Sequence, residues 1–340
     1  MKILKRVFQV VIVIVLAFCL YLLVVAVVPG FEVPDQPLRQ AEQGAQRAGG
    51  EASDSREDLS FKVQGTEVRA WLYLPKGGSD RVPCIVMASG LGGTREMGES
   101  YALRFQDAGL AVLSFDYRHF GESQGEPRQL IWIPDQLEDY AAAVQFARKH
   151  GRIDPERIAL WGTSLSGGHV IVTAAGDPGI ACVAAQCPGV DGRASAELAF
   201  DTLPIGYNLR RLMHGQRDLV RSWLGLAPHR VPIVGRPGSM ALLTTPRALE
   251  AFERLAPEGF VNEACARIII RGDKYRAFEH ARDVRCPVLL QICEKDRIVP
   301  AESIEETGRM LGPQAEILRY PIGHFDIYFG AHHETSVRDQ

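Results

Sequence analysis

Several features by which nucleic-acid-binding and metal-binding proteins are commonly detected are missing from this sequence. The 38 basic and 41 acidic residues give a net charge of −3, and no run or patch of lysine and arginine stands out. The seven cysteines fit no zinc-ligand spacing, and large internal repeats are absent. We therefore expect no nucleic-acid partner and no metal.

The sequence context of the cysteines is typical of small apolar residues rather than of metal ligands. Cys84, Cys182, Cys286 and Cys293 lie in or beside apolar, strand-like runs, and Cys19 lies in the apolar run near the N-terminus. We expect buried thiols, and the spacing assigns no disulfide.

Charge is absent from residues 7–28, where a single glutamine is the one strongly polar residue. At about 1.5 Å per residue this run is long enough to cross the hydrocarbon core of a bilayer. Lys2, Lys5 and Arg6 precede it, so the positive-inside rule predicts a cytoplasmic N-terminus. A cleaved signal peptide is the alternative, but the run exceeds the usual ~7–15 apolar residues and lacks a good cleavage site. We expect an uncleaved single-pass anchor over residues 1–29 in the cell membrane, with the remaining chain outside the cytoplasm.

Residues 30–58 are rich in Gln, Ala, Gly and Glu and poor in large apolar residues, which predicts a flexible linker. From residue 59 to 340, short apolar runs alternate with helical patterns. This alternation predicts an α/β domain with a mostly parallel sheet and helices on both faces. The irregular, partly helical stretch at about 188–283 is predicted to be a cap insertion. The expected strands follow a hairpin at 60–75 and lie at 84–88, 111–115, 157–161, 180–186, 286–293 and 315–321.

The stretch WGTSLSGG, residues 161–168, combines the end of a buried strand, a turn of small residues and the start of a helix. A nucleophile elbow requires this context, because the turn strains the serine backbone and exposes its hydroxyl above the sheet. Ser164 and Ser166 both have small neighbours. Ser164 is favoured because it follows the strand closely, whereas a nucleophile at Ser166 would open the helix on two glycines.

A serine nucleophile needs a histidine base and a carboxylate that orients it, in the chain order Ser, acid, His. Asp296 follows the penultimate strand and His324 the last, at strand ends where ligands bind such sheets. Asp191 is the alternative acid. His332 and His333 are alternative bases in a polar tail.

Two backbone amides should stabilise the developing oxyanion. One is expected at Leu165, directly after the nucleophile, and the other at Leu91, in the glycine-containing loop ASGLGGTRE. In a third loop, DYRHFGES, Asp116 and Arg118 could line the site, but an internal ion pair that braces the loop is favoured.

Five segments together resemble an esterase-like group of α/β-hydrolases: PCIVMASGLGGTRE, FDYRHFGESQGEPR, RIALWGTSLSGGHV, EKDRIVP and GHFDIYFG. That group is similar to fungal polyketide transferases and to dienelactone-hydrolase-like esterases, and the resemblance runs from Leu59 to near the end. It implies a triad of Ser164, Asp296 and His324, with the amides of Leu91 and Leu165 as oxyanion donors. Ser89 departs from the histidine usual in relatives, and the tail after His324 leaves little for a last covering helix.

These features predict a membrane-anchored serine hydrolase that cleaves small-molecule carboxylic esters or thioesters through an acyl-enzyme on Ser164, without cofactors. An acyltransferase that passes the acyl group to an alcohol and a non-catalytic membrane-tethered binding module remain alternatives, and peptidase activity is the weakest. Large side chains of the cap predict an apolar acyl pocket and a preference for medium or long acyl esters. They include Leu203, Tyr207, Leu212, Trp223 and Leu226.

Overall fold

The computed structural model describes residues 2–28, 56–77 and 81–340, together with residues 31, 33, 34, 36 and 38. Most of the predicted linker, residues 30–58, therefore lies outside the described residues. The first strand already begins at Arg56.

Within the described ranges the strands form two sheets. They are β1 (Arg56–Val63), β2 (Thr66–Tyr73), β3 (Val82–Ala88), β4 (Ala111–Phe115), β5 (Ile153–Thr163), β6 (Ile180–Gln186), β7 (Arg230–Val231), β8 (Ala264–Cys265), β9 (Val288–Cys293) and β10 (Ala315–Tyr320).

The large sheet has eight strands in the order β1-β2-β4-β3-β5-β6-β9-β10. β2 pairs antiparallel with β1 and β4, and all other neighbours are parallel. Gln64 and Gly65 join β1 to β2 with φ of 48° and 85°, the left-handed values that a tight type I′ hairpin turn needs. All five residues of β4 are buried, as a continuous apolar run predicts for a strand covered on both faces.

Helices cover both faces of this sheet, which confirms the predicted α/β class. α3, α4 and α9 contribute to the larger apolar core on one face, and α2 and α10 pack with Trp71, Met87 and Trp161 on the other. The helices are α1 (Lys2–Val27), α2 (Glu99–Asp107), α3 (Ile133–Lys149), α4 (Leu165–Gly176), α5 (Gly192–Thr202), α6 (Ile205–Trp223), α7 (Ala248–Leu255), α8 (Ile268–Arg271), α9 (Ala301–Leu311) and α10 (Gly330–Asp339).

The final helix, α10, corrects one sequence-based expectation. The tail after His324 was expected to leave little for a covering helix, but α10 spans ten residues and buries Val337 in the apolar cluster that contains Trp161. The indole Nε1 of Trp161 donates to the side-chain oxygen of Gln340 at 2.8 Å. Sequence patterning missed this helix because most of its residues are polar and only one side of it is buried.

The chain between β6 and β9 holds α5 to α8 and the small β7–β8 sheet. We refer to residues 188–283 as the cap. A Cβ on Gly92, in the loop after β3, would collide with Ile233 of the cap, so the two segments are in direct contact. The cap therefore lies over the carboxyl ends of the central strands.

The N-terminal helix α1 is apolar and mostly exposed. The helix segment Leu4–Val27 contains an 18-residue stretch with a mean hydropathy of 3.4 and is long enough to cross a membrane, a property that signal sequences share. Only its C-terminal end touches the cap. There, Tyr21 donates to Gln216 of α6 at 2.5 Å.

Candidate active site

The turn between β5 and α4 holds Ser164 in a strained conformation. Its φ of 55° and ψ of −123° lie in a region that non-glycine residues rarely adopt. A Cβ on Gly162 would approach the carbonyl oxygen of Ser166 to 2.3 Å, so the residues on either side of the turn come very close together. The turn thus exposes the Ser164 hydroxyl at the carboxyl edge of the sheet, as a nucleophile elbow does.

Ser164, His324 and Asp296 form a continuous hydrogen-bonded chain. His324 Nε2 lies 3.1 Å from Ser164 Oγ, and His324 Nδ1 lies 2.5 Å from Asp296 Oδ2. The three residues follow β5, β10 and β9, strands that end at the same edge of the sheet. This arrangement can transfer a proton from the serine to the imidazole while the carboxylate holds the ring.

The Asp296 carboxylate is held from both sides. Its Oδ1 accepts hydrogen bonds from the backbone amides of Ile298 at 2.7 Å and Val299 at 3.0 Å, which leaves Oδ2 for the imidazole. The side chain is only 2% exposed. A carboxylate fixed in this way keeps one orientation of the ring, because it can rotate only by losing two hydrogen bonds.

The alternative acid and bases lie elsewhere. Asp191 caps the N-terminus of α5, where its Oδ1 accepts from the amides of Arg193 and Ala194. His332 and His333 both lie in α10: His332 is exposed, and His333 is buried with Nε2 at 3.1 Å from the Ser100 hydroxyl. The structure therefore brings Asp296 and His324, and neither Asp191 nor His333, next to Ser164.

The pKa of His324 is shifted by two opposing effects. Burial by itself disfavours the imidazolium and lowers the pKa, but the Asp296 carboxylate stabilises the charged ring and raises the pKa well above its usual value of 6.5. The imidazole is thus a stronger base than a free histidine. A base of this kind suits the removal of a proton from a serine hydroxyl.

The loop after β3 runs beside Ser164. A Cβ on Gly90 would meet the Ser164 Cβ at 3.0 Å, so glycine lets the backbone come close to the nucleophile. Leu91 lines the same cavity as Ser164 and Leu165. The Leu165 amide is the first of α4 and has no acceptor inside the helix. Both amides are therefore placed near the nucleophile, and their role as oxyanion donors stays a prediction.

The Ser89 side chain holds this loop by its hydroxyl. Its Oγ donates to the carbonyl oxygen of Thr94 at 2.6 Å, across the turn that contains Leu91. This hydrogen bond thus joins the two sides of the turn within the loop.

Arg95 and Asp116 form a buried ion pair that sequence patterning missed. The Asp116 carboxylate, with 0% exposure, accepts from the backbone amide of Arg95 at 2.7 Å and from its guanidinium. Burial raises the pKa of Asp116 to about 6 despite the nearby arginine. The pair ties the loop after β4 to the loop that carries Leu91.

Asp116 and Arg118 do not pair with each other, so a pair internal to their loop was the wrong expectation. Arg118 instead binds the carboxylate of Asp139 on α3, and its backbone amide donates to the same carboxylate at 2.8 Å. Asp116 and Arg118 thus anchor their loop to two different parts of the fold, since Arg95 follows β3 and Asp139 lies on α3.

Ser166 has a structural position behind the elbow. Its hydroxyl donates to the carbonyl of Ala88 at 2.8 Å and accepts from the amide of Thr163 at 2.9 Å. The side chain is fully buried, so it links β3 to the turn and does not face the cavity.

A cavity of about 420 Å³ lies between the sheet edge and the cap. Leu203 and Leu212 line it, as the sequence predicted, together with Ser164. Tyr207 is buried outside it and donates to the Ser239 carbonyl at 2.7 Å. Trp223 is 61% exposed, and it does not line the cavity.

No group of three or more histidine, cysteine or acidic side chains in the described part of the chain is arranged to hold a metal ion. All seven cysteines are free thiols; Cys19 and Cys182 are exposed and the other five are buried. Burial raises the pKa of Cys84 to about 12, so that thiol stays protonated.

Comparison with known proteins adds four findings. Residues 64–199 match a family model described as X-Pro dipeptidyl-peptidase (S15 family). The chain is 39% identical to the quorum-quenching protein AidA of Acinetobacter baumannii, over 83% of this chain and 92% of that protein. It is 31% identical to thiohydrolase apmlB of Arthrinium phaeospermum, over 63% of this chain and 71% of that protein. The crystal structure of α/β hydrolase GrgF from Penicillium sp. sh18, a protein also named polyketide transferase, has a TM-score of 0.69 at 25% identity, over 84% and 96% of the two chains.

Proposed function

The chain belongs to the α/β-hydrolase family, and from that premise we propose that it is a serine hydrolase that cleaves carboxylic esters or thioesters through an acyl-enzyme on Ser164. The observation that carries the proposal is the hydrogen-bonded chain from Ser164 through His324 to Asp296, at a strained turn that opens into a cavity. A non-catalytic binding module would have no need for this geometry.

In the proposed reaction Ser164 Oγ attacks the acyl carbonyl carbon while His324 Nε2 accepts the hydroxyl proton. The carbonyl electrons move to oxygen, and the amides of Leu91 and Leu165 stabilise the negative charge. Collapse of this intermediate breaks the bond to the alcohol or thiol, which takes the proton from His324. Water then attacks the acyl-enzyme by the same route and releases the acid. Asp296 keeps Nδ1 protonated and stabilises the imidazolium throughout.

Active-site labelling tests the nucleophile directly. A fluorophosphonate should modify the full chain once, at Ser164, and peptide mass spectrometry should find the adduct there. Ser166→Ala should still be labelled, because the Ser166 hydroxyl is buried behind the turn. Label on any other residue, or none, would contradict the assignment.

Acyl transfer to an alcohol is a second candidate, favoured by the relative GrgF that is named polyketide transferase. Both reactions share the acyl-enzyme and differ in what attacks it. Product analysis with a thioester substrate and rising alcohol concentrations separates them. Free acid as the constant product supports hydrolysis, whereas ester that grows in proportion to the alcohol supports transfer.

We also propose that α1 is an uncleaved anchor with the N-terminus in the cytoplasm, supported by its length and by the basic residues at its start. Intact protein should stay in the membrane fraction after a high-salt wash. Protease added to spheroplasts should release an active soluble fragment by cutting within residues 30–55. A domain that is protected until lysis would contradict the orientation, and a mature N-terminus beyond residue 28 would indicate a signal sequence.

A further inference from the structure

Exposed large apolar side chains beyond α1 and Val28 are concentrated on one part of the cap. Among the described residues from 56 to 340, seven of the eight such side chains lie between residues 200 and 226, and the eighth is Val261. Phe200 also lines the cavity. The other six are here named the apolar cap face: Ile205, Leu209, Met213, Trp223, Leu224 and Leu226. Exposed apolar side chains concentrated on one segment are typical of an interaction site.

The apolar cap face continues into the contact with α1. Ile205, Leu209 and Met213 are spaced four residues apart and therefore share one side of α6. Gln216 follows three residues later on the same side, and it accepts the hydroxyl hydrogen bond of Tyr21. The exposed stripe thus runs along α6, over roughly 16 Å at 1.5 Å per residue, up to the place where α1 rests.

The junction between α1 and α6 is built from specific hydrogen bonds. The Arg217 guanidinium donates to the carbonyls of Val25 and Val28 at 2.8 and 2.9 Å, and Arg221 donates to the carbonyl of Ala26 at 2.8 Å. The last carbonyls of a helix have no partner within it, so the two arginines satisfy them and complement the helix dipole. The end of a membrane-crossing α1 is thereby fastened to α6.

The charge of α6 suits a lipid surface. Apart from Arg211, which lines the cavity, the helix carries three arginines, at 210, 217 and 221, and its one acidic residue, Asp218, is buried against Arg267. An amphipathic helix that combines arginines with exposed leucine, isoleucine and tryptophan is typical of segments that lie in the interface of a membrane.

We propose that the apolar cap face rests in the headgroup region of the membrane that α1 enters, and that the cavity receives acyl esters or thioesters from the lipid phase. α6 carries the face on one side and contributes Asn208 and Leu212 to the cavity on another, so one helix joins the lipid surface to the site. The docking rests on the membrane anchor alone. The supply of substrate from lipid also rests on the proposed hydrolase function.

Fluorescence quenching tests the docking without reference to activity. The full chain is placed in nanodiscs of phosphatidylcholine and phosphatidylglycerol, with either brominated or ordinary acyl chains. Brominated lipid should quench the emission of Trp223, and Trp223→Phe should remove most of that quenching. Trp223 is the exposed one of the four tryptophans, whereas Trp71 and Trp161 are buried in the domain core and Trp132 is half-buried. Equal emission in both lipids would overturn the docking.

Kinetics test the supply of substrate. The triple variant Ile205→Ser, Leu209→Ser, Met213→Ser lies outside the cavity lining. It should lower kcat/KM for a long-chain ester embedded in nanodiscs roughly tenfold relative to a water-soluble short-chain ester. Val261→Ser, an exposed apolar residue outside the face, is the matched control and should keep the ratio. An unchanged ratio in the triple variant would overturn lipid supply. Loss of fluorophosphonate labelling in the wild type would overturn the hydrolase function instead, and the quenching result would stand.

A second, independent observation concerns Arg211, which lines the cavity with Ser164. Its Nη2 makes one long hydrogen bond, 3.4 Å to the Leu242 carbonyl, and its Nε is buried without an acceptor. None of the described carboxylates forms an ion pair with it, and burial lowers its pKa. A guanidinium whose N–H groups lack acceptors in an apolar cavity lowers the stability of the fold unless a ligand supplies acceptors.

We infer that Arg211 binds an oxygen-bearing group on the acyl portion of the substrate, a ketone carbonyl or a carboxylate. This inference rests on the proposed function of the same site. Three p-nitrophenyl esters of equal acyl length should be compared: one with a plain chain, one with an oxo group and one with a terminal carboxylate. The wild type should prefer one of the oxygenated chains, and which one it prefers identifies the group.

Arg211→Met should reduce that preference at least tenfold in relative kcat/KM, and Arg211→Lys should retain part of it because the charge remains. A wild type that prefers the plain chain, or an Arg211→Met variant with unchanged relative kcat/KM values, would overturn the inference. Absence of turnover on all three esters together with absent Ser164 labelling would instead contradict the proposed function.

Discussion

The carboxyl edge of the sheet and the cap above it differ in how firmly their residues are held. α4, which follows Ser164, buries eight of its twelve residues, whereas α5 of the cap has no fully buried residue. The side chains at the sheet edge are held by several hydrogen bonds each, as Asp296 is by Ile298, Val299 and His324. The well-packed sheet edge can fix the geometry of the reacting groups, while the less buried cap can adapt to different substrates.

The cap nevertheless has one firm point of its own. Asp218 of α6, with 0% exposure, accepts from the amide of His229 at 2.8 Å and from the guanidinium of Arg267 at 2.6 Å. This carboxylate ties α6 to the segments that flank the β7–β8 sheet. The comparison therefore predicts that substitutions at the sheet edge change turnover, and that substitutions in the cap change the choice of substrate.

The largest effect is expected for Ser164→Ala, which should lower kcat by about 10³-fold to 10⁶-fold, as in other serine triads. Ser166→Ala is the matched control. It removes buried hydrogen bonds, so it should lower the free energy of unfolding by roughly 1–3 kcal/mol while much of the activity remains. Equal inactivation of two folded variants would contradict the assignment of the nucleophile.

Asp296→Asn should lower kcat by about 10⁴-fold with little change in structure, because the amide no longer holds the imidazole in the required tautomer. Asp191→Asn changes the side chain that caps the N-terminus of α5. It should reduce stability slightly and leave kcat close to that of the wild type. Steady-state kinetics and thermal unfolding of both variants check this. If Asp191→Asn inactivated the enzyme and Asp296→Asn did not, the acid of the triad would be Asp191 and not Asp296.

Asp116→Ala should destabilise the fold by roughly 3–5 kcal/mol, because it leaves the Arg95 guanidinium buried without its main partner. Denaturant unfolding measures this loss. We expect kcat to fall as well, since the loop that carries Leu91 loses its brace, while KM changes less. A variant with wild-type stability would show that the ion pair does not hold the loop.

The activity should depend on pH through His324. The base acts when neutral, and Asp296 raises its pKa, so kcat/KM should increase with pH and level off above the usual histidine value of 6.5. In Asp296→Asn the pKa falls because the stabilising carboxylate is gone, and the acid limb of the remaining activity should move to lower pH. A limb that stays in place in the variant would assign the titration to another group.

The smallest effect is expected in the cap. The native enzyme should prefer medium or long acyl esters to acetyl esters, because the 420 Å³ cavity is lined largely by apolar side chains such as Leu203 and Leu212. Leu212→Ala should change the dependence of kcat/KM on chain length a few-fold, on the order of 1–3 kcal/mol per apolar contact. In a detergent-free assay with soluble esters, Trp223→Ala should leave that dependence alone. A native preference for acetyl esters would contradict the acyl pocket.

Strand patterning succeeded where the sheet is buried on both faces. The predicted strands at 111–115 and 180–186 agree with β4 and β6. Continuous apolar runs bounded by turns allow little ambiguity when both faces of a strand are covered. The nucleophile elbow was visible for a related reason, since close approach of the backbone permits only small residues around Ser164.

Partners across the fold were harder to predict. Asp116 and Arg118 were seen as charged residues that could brace a loop, but their partners, Arg95 and Asp139, each lie 21 residues away in sequence. The spacing of charged residues within one loop or helix does not indicate pairing between residues that far apart in the sequence. The role of Trp223 was misjudged for a different reason: composition does not say which side of an amphipathic helix faces a cavity and which faces outward.

The sequence by itself determined the α/β class, the apolar N-terminal helix, the elbow at Ser164 and the order of acid and histidine along the chain. Each of these depends on local spacing, on side-chain size or on length. Only the tertiary structure decided that Asp296, rather than Asp191, reaches His324, that Arg95 braces the loop of Leu91, and that α6 separates a cavity from an exposed apolar stripe. The reason is physical: these relations depend on how strand ends and helix faces meet in space, and chain separation alone does not specify those distances.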